Sequence, residues 1–428
     1  MNWKTPLMAL PEKFYAVLLH RRRIGTLCQK GDHTRFLLNE GYLNDPRRPV
    51  LGLRFEEGLR KPYASALRLP KWFSNLLPEG PLRQWIAEDR GVSLDREMEL
   101  LAQVGHDLPG AVQVLPADGP DGGWEWHEGD FLPAGDRDSV NAGSSPWRFS
   151  LAGVALKFSM LARGDRLTVP AAGERGDWLV KFPDYRYEDV PLNEYTLMSL
   201  ATAVGIDVPE VRLIHRDELD GLPARMWPNK EQWAYAVKRF DRLDDDRRTP
   251  VHIEDFAQVR DVYPEAKYES NFETVAALAY RGRDMMALRE MARRLIFSVL
   301  VGNGDAHLKN WSLIYLNTRV PTLSPAYDLV STAFYREPDD GSEDLGLKFC
   351  GSKRFEDVGL SSFNSLESRL DTRFGRTEAG LVDITAEVVE RVVSKWPQYR
   401  ELLADSPALR NGIDAWLAER SATLLGRR

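Results

Sequence analysis

The chain has 428 residues, of which 43% are hydrophobic, a length and content that suit two or three packed domains. Its formal net charge is −7, and its one compact basic cluster runs from His20 to Arg23, a segment that suits a strand end or turn. A protein that binds nucleic acid by itself usually presents an excess of positive charge, so the composition argues against that class. Two cysteines, Cys28 and Cys350, are too few for a disulfide framework or a zinc site, which favours a reducing cytoplasm. No apolar run approaches the roughly 20 residues that span a bilayer, so we expect no membrane contact.

The first part of the chain, residues 1–115, predicts a compact α/β subdomain. Its segments with strand or helix patterns are Phe14 to Leu19, Thr34 to Leu38, Pro70 to Gly91 and Arg96 to Val104. Residues 116–145 are rich in glycine, aspartate, proline and tryptophan and show no sustained period. They therefore predict a linker or a long loop.

A small-residue segment opens the next part, residues 146–248, which we expect to form a nucleotide-binding lobe. It runs from Phe149 to Lys157, and its candidate phosphate-contacting residues are Ala152, Gly153, Val154, Ala155 and Lys157. Backbone amides in such a turn can approach phosphate closely, and the lysine adds charge. The segment is neither a Walker A loop nor G-x-G-x-x-G, and taken alone an ordinary hairpin turn explains it better.

One lysine interrupts the apolar strand predicted from Trp178 to Pro183. Burying an ammonium group without a partner is costly, so we expect Lys181 to contact phosphate and to pair with Glu194. Glu194 opens a helix predicted from Asn193 to Val204. The alternative is an acid placed in the first turn only because the helix dipole favours it.

The segment Ala234 to Arg242 predicts a strand that runs into charged residues. It suits a hinge whose backbone meets the edge of an adenine, with Lys238 and Phe240 as candidate nucleotide contacts. Asp241 is a candidate for ribose, although a turn cap would suit it as well. The charged run that follows, residues 244–248, predicts a solvated connection.

Helices dominate the last part, residues 249–428, and a loop rich in polar groups follows one of them. Apolar residues recur at helical spacing from Asp284 to Leu300, and glycines end that helix. The loop from Gly302 to Asn310 reads Gly-Asn-Gly-Asp-Ala-His-Leu-Lys-Asn, with Asp305 and Asn310 at the D-x-x-x-x-N spacing of protein-kinase catalytic loops. Further helices are predicted at Leu381 to Trp396 and Asn411 to Leu425.

A hairpin predicted after this loop, with strands from Trp311 and Val320, would return Asp328 to the same mouth. Such a site suits phosphoryl transfer, with Asp305 as the base for a substrate hydroxyl and Lys309 near the phosphates. Asn310 and Asp328 would then be magnesium ligands. The alternative is a polar loop capped by aspartate and asparagine.

His307 has several possible roles in this loop. It could ligate metal or shuttle a proton, and we include it among the candidate catalytic residues. A histidine that braces the loop is favoured, because magnesium prefers oxygen ligands.

Several stretches, in order along nearly the whole chain, resemble the HipA family of bacterial serine/threonine kinases, the toxin components of HipBA-type toxin–antitoxin modules. They are Gly105 to Ala111, Ser150 to Lys157, Leu179 to Pro183, Asn193 to Tyr195, Val237 to Arg242, Gly302 to Asn310 and Tyr327 to Ser331. The resemblance implies an α+β, kinase-like two-lobed fold with an additional N-terminal α/β subdomain and a mostly helical C-terminal lobe. It also implies ATP and Mg²⁺ as cofactors, and it agrees with the roles given above to Asp305, Asn310, Asp328 and Lys181.

The resemblance further implies an autophosphorylated serine at the start of the phosphate loop, a position that Ser150 occupies here. Phosphorylation would add nearly two negative charges beside the site for ATP phosphates and should inactivate the enzyme. The family usually shows Gly-Ala-Gln followed by Glu or Pro and Lys, whereas this chain has apolar residues at 154–156. That departure bears on nucleotide affinity and on the loop switch, and Ser144 and Ser145 are alternative phosphosites.

We therefore expect an ATP-dependent protein serine/threonine kinase of HipA type that phosphorylates a translation-related protein such as an aminoacyl-tRNA synthetase. A HipB-like antitoxin is the partner that the resemblance suggests, and DNA would be contacted only indirectly through it. A small-molecule phosphotransferase on a related fold would use the same base and metal ligands. The alternative from another class is an inactive kinase-like scaffold or co-repressor, which the apolar segment at 154–156 favours.

Overall fold

The structure is a computed structural model that describes residues 11–120, 157–164, 166–168, 170, 175–220, 222, 226–336 and 343–426. Several predicted features lie outside the described residues. They are the candidate phosphate contacts Ala152 to Ala155, the phosphosite Ser150 with its alternatives Ser144 and Ser145, and most of the predicted linker.

The N-terminal part forms an antiparallel sheet with short helices. Its strands are β1 (Glu12–Leu19), β2 (Arg22–Lys30), β3 (His33–Leu38), β4 (Tyr63–Ala66) and β5 (Val112–Ala117), in the order β4-β3-β2-β1-β5. Its helices are α1 (Glu40–Leu43), α2 (Leu53–Glu56), α3 (Lys71–Ser74), α4 (Gly80–Arg90) and α5 (Glu97–Val104). The strands and helices predicted here are confirmed, and the basic cluster lies at the turn between β1 and β2, where His20 and Arg21 have left-handed φ values of 49° and 63°.

A second sheet follows, with strands β6 (Lys157–Arg163), β7 (Arg166–Thr168), β8 (Trp178–Lys181), β9 (Val211–His215), β10 (Leu219–Asp220) and β11 (Trp233–Lys238). The order is β10-β7-β6-β8-β11-β9. The register of β6 and β8 places Lys157 directly opposite Lys181. Helix α6 (Val190–Ala203) packs on β9 and β11, and it begins three residues before the predicted start because Pro191 suits a first helical turn.

The last part is mainly helical. Its helices are α7 (Phe256–Val259), α8 (Phe272–Tyr280), α9 (Met285–Val301), α10 (Leu360–Phe374), α11 (Leu381–Tyr399) and α12 (Pro407–Leu424), and its strands are β12 (His252–Asp255), β13 (Ser312–Tyr315), β14 (Thr322–Leu323), β15 (Asp344–Phe349) and β16 (Ser352–Arg354). Helix α9 ends at Gly302, whose φ of 69° suits glycine. The hairpin predicted after the loop is confirmed by the antiparallel pair β13 and β14.

Two large apolar clusters hold these parts together. One is formed by α6 and the helices that follow it, and the other joins the N-terminal sheet to the second sheet. In the second cluster the ring of Trp85 lies 5.4 Å from that of Phe158, which in turn lies 6.0 Å from Phe182. Among the described helices, none combines the length and apolar character needed to cross a membrane.

Strand β12 carries a buried acid that ties the N-terminal part to the hairpin. Glu254 has no exposed surface, and its carboxylate accepts hydrogen bonds from the backbone of Leu53, from Trp72 Nε1 and from the Tyr315 hydroxyl. Burial outweighs these bonds and raises the pKa of Glu254 to about 7. The folded protein therefore favours the protonated acid at a pH where an unfolded chain would ionise it.

We expect Glu254→Gln to change how stability depends on pH. Because the folded pKa lies above the ordinary value of 4.5, ionisation of Glu254 lowers the free energy of unfolding as pH rises from about 4.5 to about 7. The glutamine variant lacks this loss, so relative to wild type it should gain on the order of 3 kcal/mol between pH 4.5 and pH 8. Urea unfolding at several pH values measures this difference, with the exposed Glu57→Gln as control. If the free energies of unfolding of the variant and of wild type differed by the same amount at pH 4.5 and at pH 8, the prediction would be wrong.

Candidate active site

A cavity of about 750 Å³ lies between the second sheet and the helical part. Every predicted site residue that the structure describes lines it: Lys157, Lys181, Glu194, Lys238, Phe240, Asp241, Asp305, His307, Lys309, Asn310 and Asp328. The N-terminal part contributes lining residues as well, among them Asn75, Glu79 and Pro109. The cavity thus gathers cations, carboxylates and apolar surface from all three parts of the chain.

Lys181, at the end of β8, is buried between two carboxylates. Its Nζ lies 2.6 Å from Glu194 Oε1 on α6 and also contacts Asp328 Oδ1. The pairing with Glu194 is the one expected from the sequence. The contact with Asp328 was not expected, and it joins a strand, a helix and a loop at one ammonium group.

Lys157 faces the same cavity from the neighbouring strand. It is 7% exposed, and burial, followed by repulsion from Lys181, lowers its pKa to about 7. A buried ammonium without full compensation is expected to lose its proton easily. An anion beside Lys157 would therefore favour its charged form.

The Gly302–Asn310 loop presents Asp305 at the mouth of the cavity. The Asp305 side chain is 45% exposed, and its Oδ1 accepts a 2.5 Å hydrogen bond from the Tyr268 hydroxyl. Asn310 Nδ2 donates to the backbone oxygen of Asp305 at 2.7 Å, which leaves the amide oxygen of Asn310 for another ligand. The structure therefore brings together the proposed base and a candidate metal ligand, and it adds Tyr268.

His307 lies beneath this mouth and is buried. Burial lowers its pKa to about 4, so the imidazole is neutral near pH 7. Its ring packs edge-on against Tyr268 at 4.9 Å, and its backbone N–H donates to the backbone oxygen of Asp305 at 2.8 Å. These contacts favour the role in which His307 braces the loop. A catalytic role for His307 stays a prediction.

Lys309 is directed toward the N-terminal part. Its Nζ donates to the Asn75 backbone oxygen at 2.7 Å and lies 3.3 Å from Glu79 Oε1 and 3.5 Å from Asp255 Oδ2. Glu79 also pairs with Lys267 at 2.9 Å. Burial would raise the pKa of Glu79, but the two lysines outweigh it and hold that pKa below its ordinary value. Lys309 is thus held by carboxylates in this structure, and its contact with phosphate stays a prediction.

The predicted hinge places an aromatic ring at the cavity. Phe240 stacks on Tyr327 with a centroid distance of 5.7 Å, and the Tyr327 hydroxyl donates to the backbone oxygen of Lys309 at 3.0 Å. Lys238, at the end of β11, pairs with the exposed Asp244 at 3.1 Å. A flat apolar surface at this end of the cavity suits an aromatic base.

Asp241 belongs to a buried group of four charges that we name the hinge cluster: Asp107, Arg239, Asp241 and Arg242. Asp241 receives bonds from both guanidinium groups and from the backbone N–H of Gly110 at 2.8 Å. Asp241 as a whole is 5% exposed, and its carboxylate oxygens already accept these hydrogen bonds. This geometry favours the structural alternative over the ribose contact, because the acid neutralises two buried cations.

Asp107 closes the hinge cluster from the N-terminal part. Its two oxygens lie 3.1 Å from Arg239 Nη1 and 2.8 Å from Arg242 Nη2. Burial would raise the pKa of Asp107, but the two guanidinium groups hold it well below its ordinary value.

Sequence reasoning named Asp241 as a candidate but missed Tyr268, Glu79 and the ion pairs that Asp241 makes in the hinge cluster. Glu79 stands 188 positions from its partner Lys267, and Tyr268 stands 37 from Asp305. No local pattern announces such pairs. For Asp107 a signal existed, because it lies in the Gly105 to Ala111 stretch already singled out.

Sequence profiles of known families match both halves of the chain. The profile described as "HipA-like C-terminal domain" matches residues 149–396, and the one described as "HipA N-terminal domain" matches residues 15–115. The chain belongs to the HipA family. The resemblance found in its motifs is thereby confirmed.

Relatives of this HipA-family chain carry kinase names. "Putative kinase Y4dM" of Sinorhizobium fredii is 39% identical over 412 residues, which cover 93% of this chain and 95% of the relative. "Serine/threonine-protein kinase toxin HipA" of Shewanella oneidensis is 28% identical over 294 residues, 61% of this chain and 63% of the relative.

A solved structure shares the fold. It is described as the Shewanella oneidensis toxin–antitoxin system HipA, HipB and its operator DNA complex, and it matches with a TM-score of 0.72 and 20% identity over 96% of this chain and 97% of that chain. The likeness confirms the predicted fold class, an α+β, kinase-like two-lobed fold with an additional N-terminal α/β subdomain.

We expect Asp107→Asn to destabilise the protein strongly. Removing one carboxylate leaves two buried guanidinium groups short of negative charge, which should lower the free energy of unfolding by about 3 kcal/mol. The matched control is Asp220→Asn, because Asp220 also pairs with an arginine, Arg166, but at the exposed surface, where little change is expected. Urea unfolding of both variants measures the contrast, and similar losses in the two would contradict it.

Proposed function

We propose that this HipA-family chain is an ATP-dependent protein serine/threonine kinase. The observation that carries the proposal is the cavity in which Lys181, paired with Glu194, meets Asp328 while Asp305 and Asn310 line the same space. A phosphoryl-transfer site needs these parts: a lysine for phosphate, oxygen ligands for a metal and a carboxylate for the acceptor hydroxyl. The kinase names of its relatives support the same activity.

The residues present fit a magnesium ion. Asp328 offers a carboxylate and Asn310 an amide oxygen, and both line the cavity. Magnesium is usually held by one or two such protein groups together with substrate phosphates. Bound there, the ion would neutralise charge on the phosphates of ATP.

The chain's own groups supply the remaining functions. Asp305 would accept the proton as the O–H bond of a serine or threonine breaks, while that oxygen bonds to the γ-phosphorus and ADP leaves with the electrons of the broken phosphorus–oxygen bond. Lys181 and Lys157 would hold phosphate oxygens, and the Phe240–Tyr327 stack would receive the adenine. Most of the rate enhancement in such a site comes from positioning and charge.

The wider role is proposed from the family. We propose that the protein is the toxin of a toxin–antitoxin module, that a HipB-like antitoxin binds it and links it to DNA, and that it phosphorylates a translation-related protein. The structural relative described as a complex of HipA, HipB and operator DNA supports such a partner. Autophosphorylation near Ser150 would then regulate it by adding charge beside the phosphates.

The decisive experiment is incubation with labelled ATP and Mg²⁺. We expect wild type to label itself at or near Ser150, and Asp305→Ala and Asp328→Ala to show no labelling, because one lacks the base and the other a metal ligand. Asp405→Ala, at an exposed position, serves as the control and should label as wild type does. Mass spectrometry locates the modified serine.

Nucleotide titration with each variant separates binding from chemistry. Asp305→Ala should still bind Mg–ATP, since the base acts on the hydroxyl. Labelling that persists in Asp305→Ala, or a wild-type protein that never binds Mg–ATP, would overturn the proposed function.

A further inference from the structure

Tyr268 makes the one side-chain hydrogen bond to the Asp305 carboxylate found among the described residues. Its hydroxyl donates to Oδ1 at 2.5 Å, and hydrogen bonds to ionised carboxylate oxygens are stronger than those between neutral groups. Burial, and then the negative charge of Asp305, raises the pKa of the Tyr268 phenol above its ordinary value of 10. The phenol therefore keeps its proton and remains a donor throughout the physiological range.

Tyr268 contacts the Gly302–Asn310 loop through its ring and through the backbone of the residue before it. It packs edge-on against His307 at 4.9 Å, and the backbone oxygen of the preceding Lys267 accepts from the backbone N–H of Leu308 at 3.1 Å. The Lys267 side chain is held in turn by Glu79 at 2.9 Å. These contacts hold Tyr268 beside the loop that carries Asp305, with its hydroxyl directed at that carboxylate.

We propose that Tyr268 is a positioning residue that holds Oδ1 of Asp305 so that Oδ2 faces the acceptor hydroxyl. The inference rests on the proposed function of Asp305 as the base. A carboxylate that is 45% exposed can rotate about its last bond, and rotation would remove the base from line with the attacking oxygen. Anchoring one oxygen fixes the other without contact to the substrate.

The competing role for Tyr268 is a block, in which the phenol occupies the place of the substrate hydroxyl. The exposure of the Asp305 side chain argues against it, because an oxygen remains accessible while the bond to Tyr268 is made. The two roles predict opposite changes when the hydroxyl is removed. A positioning residue speeds transfer, whereas a block slows it.

The test is Tyr268→Phe, which keeps the ring against His307 and removes the hydroxyl alone. Single-turnover labelling with Mg–ATP should be about tenfold slower, the loss expected when a charge-assisted bond acts only on the reacting geometry. The dissociation constant for Mg–ATP should stay within about twofold of wild type, because Tyr268 does not line the cavity. This split between rate and binding separates positioning from a general structural role.

The matched control is Tyr263→Phe. Tyr263 lies five positions away, and its hydroxyl contacts Ser65 and the backbone oxygen of Leu69 in the N-terminal part. The Tyr263→Phe variant also loses one phenolic oxygen, but at a position away from Asp305. We therefore expect it to label at the wild-type rate.

Each other outcome overturns the role given to Tyr268. Labelling by Tyr268→Phe at or above the wild-type rate would do so, and a faster rate would point to the block. A slower rate with a parallel loss of Mg–ATP binding would show a structural role. If wild type binds no Mg–ATP, the proposed function fails and the role of Tyr268 fails with it, whereas a wild type that binds and transfers confines any failure to Tyr268.

Discussion

The buried ammonium group of Lys181 is the constraint on which the arrangement of the site depends. Its side chain is 10% exposed, and that of Glu194 is 5% exposed, so breaking the pair would leave a charge with little water around it. Strand β8 and helix α6 are therefore held in one relation. Because Lys181 also contacts Asp328, the loop after the β13–β14 hairpin is held to the same point. One buried ammonium group thus holds together a strand, the helix that follows it and a loop 147 positions further along the chain.

The same contact has a consequence for metal binding. Asp328 offers two oxygens, and Oδ1 already contacts Lys181. A metal ion would use Oδ2 or displace the lysine, and a displaced Lys181 would find its new partner in phosphate. Binding of Mg–ATP in the proposed way would thus exchange partners among charges that already lie together, which costs less than bringing unpaired charges out of water.

The N-terminal part is built into the site at two places. Glu79 pairs with Lys267 and with Lys309. Asp107 pairs with both arginines of the hinge cluster. The apolar cluster that the N-terminal sheet shares with the second sheet adds a third attachment. Removal of this part would take away the Glu79 partner of Lys267 and Lys309, and it would leave Asp241 as the one acid of the hinge cluster beside Arg239 and Arg242. Its role is therefore electrostatic as well as structural.

Much of the fold and the central residues of the candidate site could be predicted from local patterns in the sequence. Helix α9 could be predicted because its apolar residues recur at 3.6-residue spacing and glycine ends it, and Lys181 stood out because an apolar strand rarely contains a lysine. The pairing of Lys181 with Glu194 was predicted as well, but contacts between residues far apart in the sequence could not be predicted in the same way. Tyr268 precedes a helix as an ordinary aromatic residue, and only the fold brings its hydroxyl to Asp305. Strand β2 was also missed, because its ends are charged although its centre is buried.

Lys157 shows how the charges around the cavity depend on what it contains. Its position opposite Lys181 follows from the register of β6 and β8, and two neighbouring ammonium groups repel each other. With its pKa lowered to about 7, Lys157 is only partly charged near neutral pH. A phosphate group beside Lys157 would favour its charged form, so binding of an anion and uptake of a proton would be linked at this position. The apolar residues at 154–156, which precede Lys157 in the chain, add no polar side chain that could share this work. Lys157 and Lys181 would then carry a larger part of the phosphate contact than they would beside a polar loop.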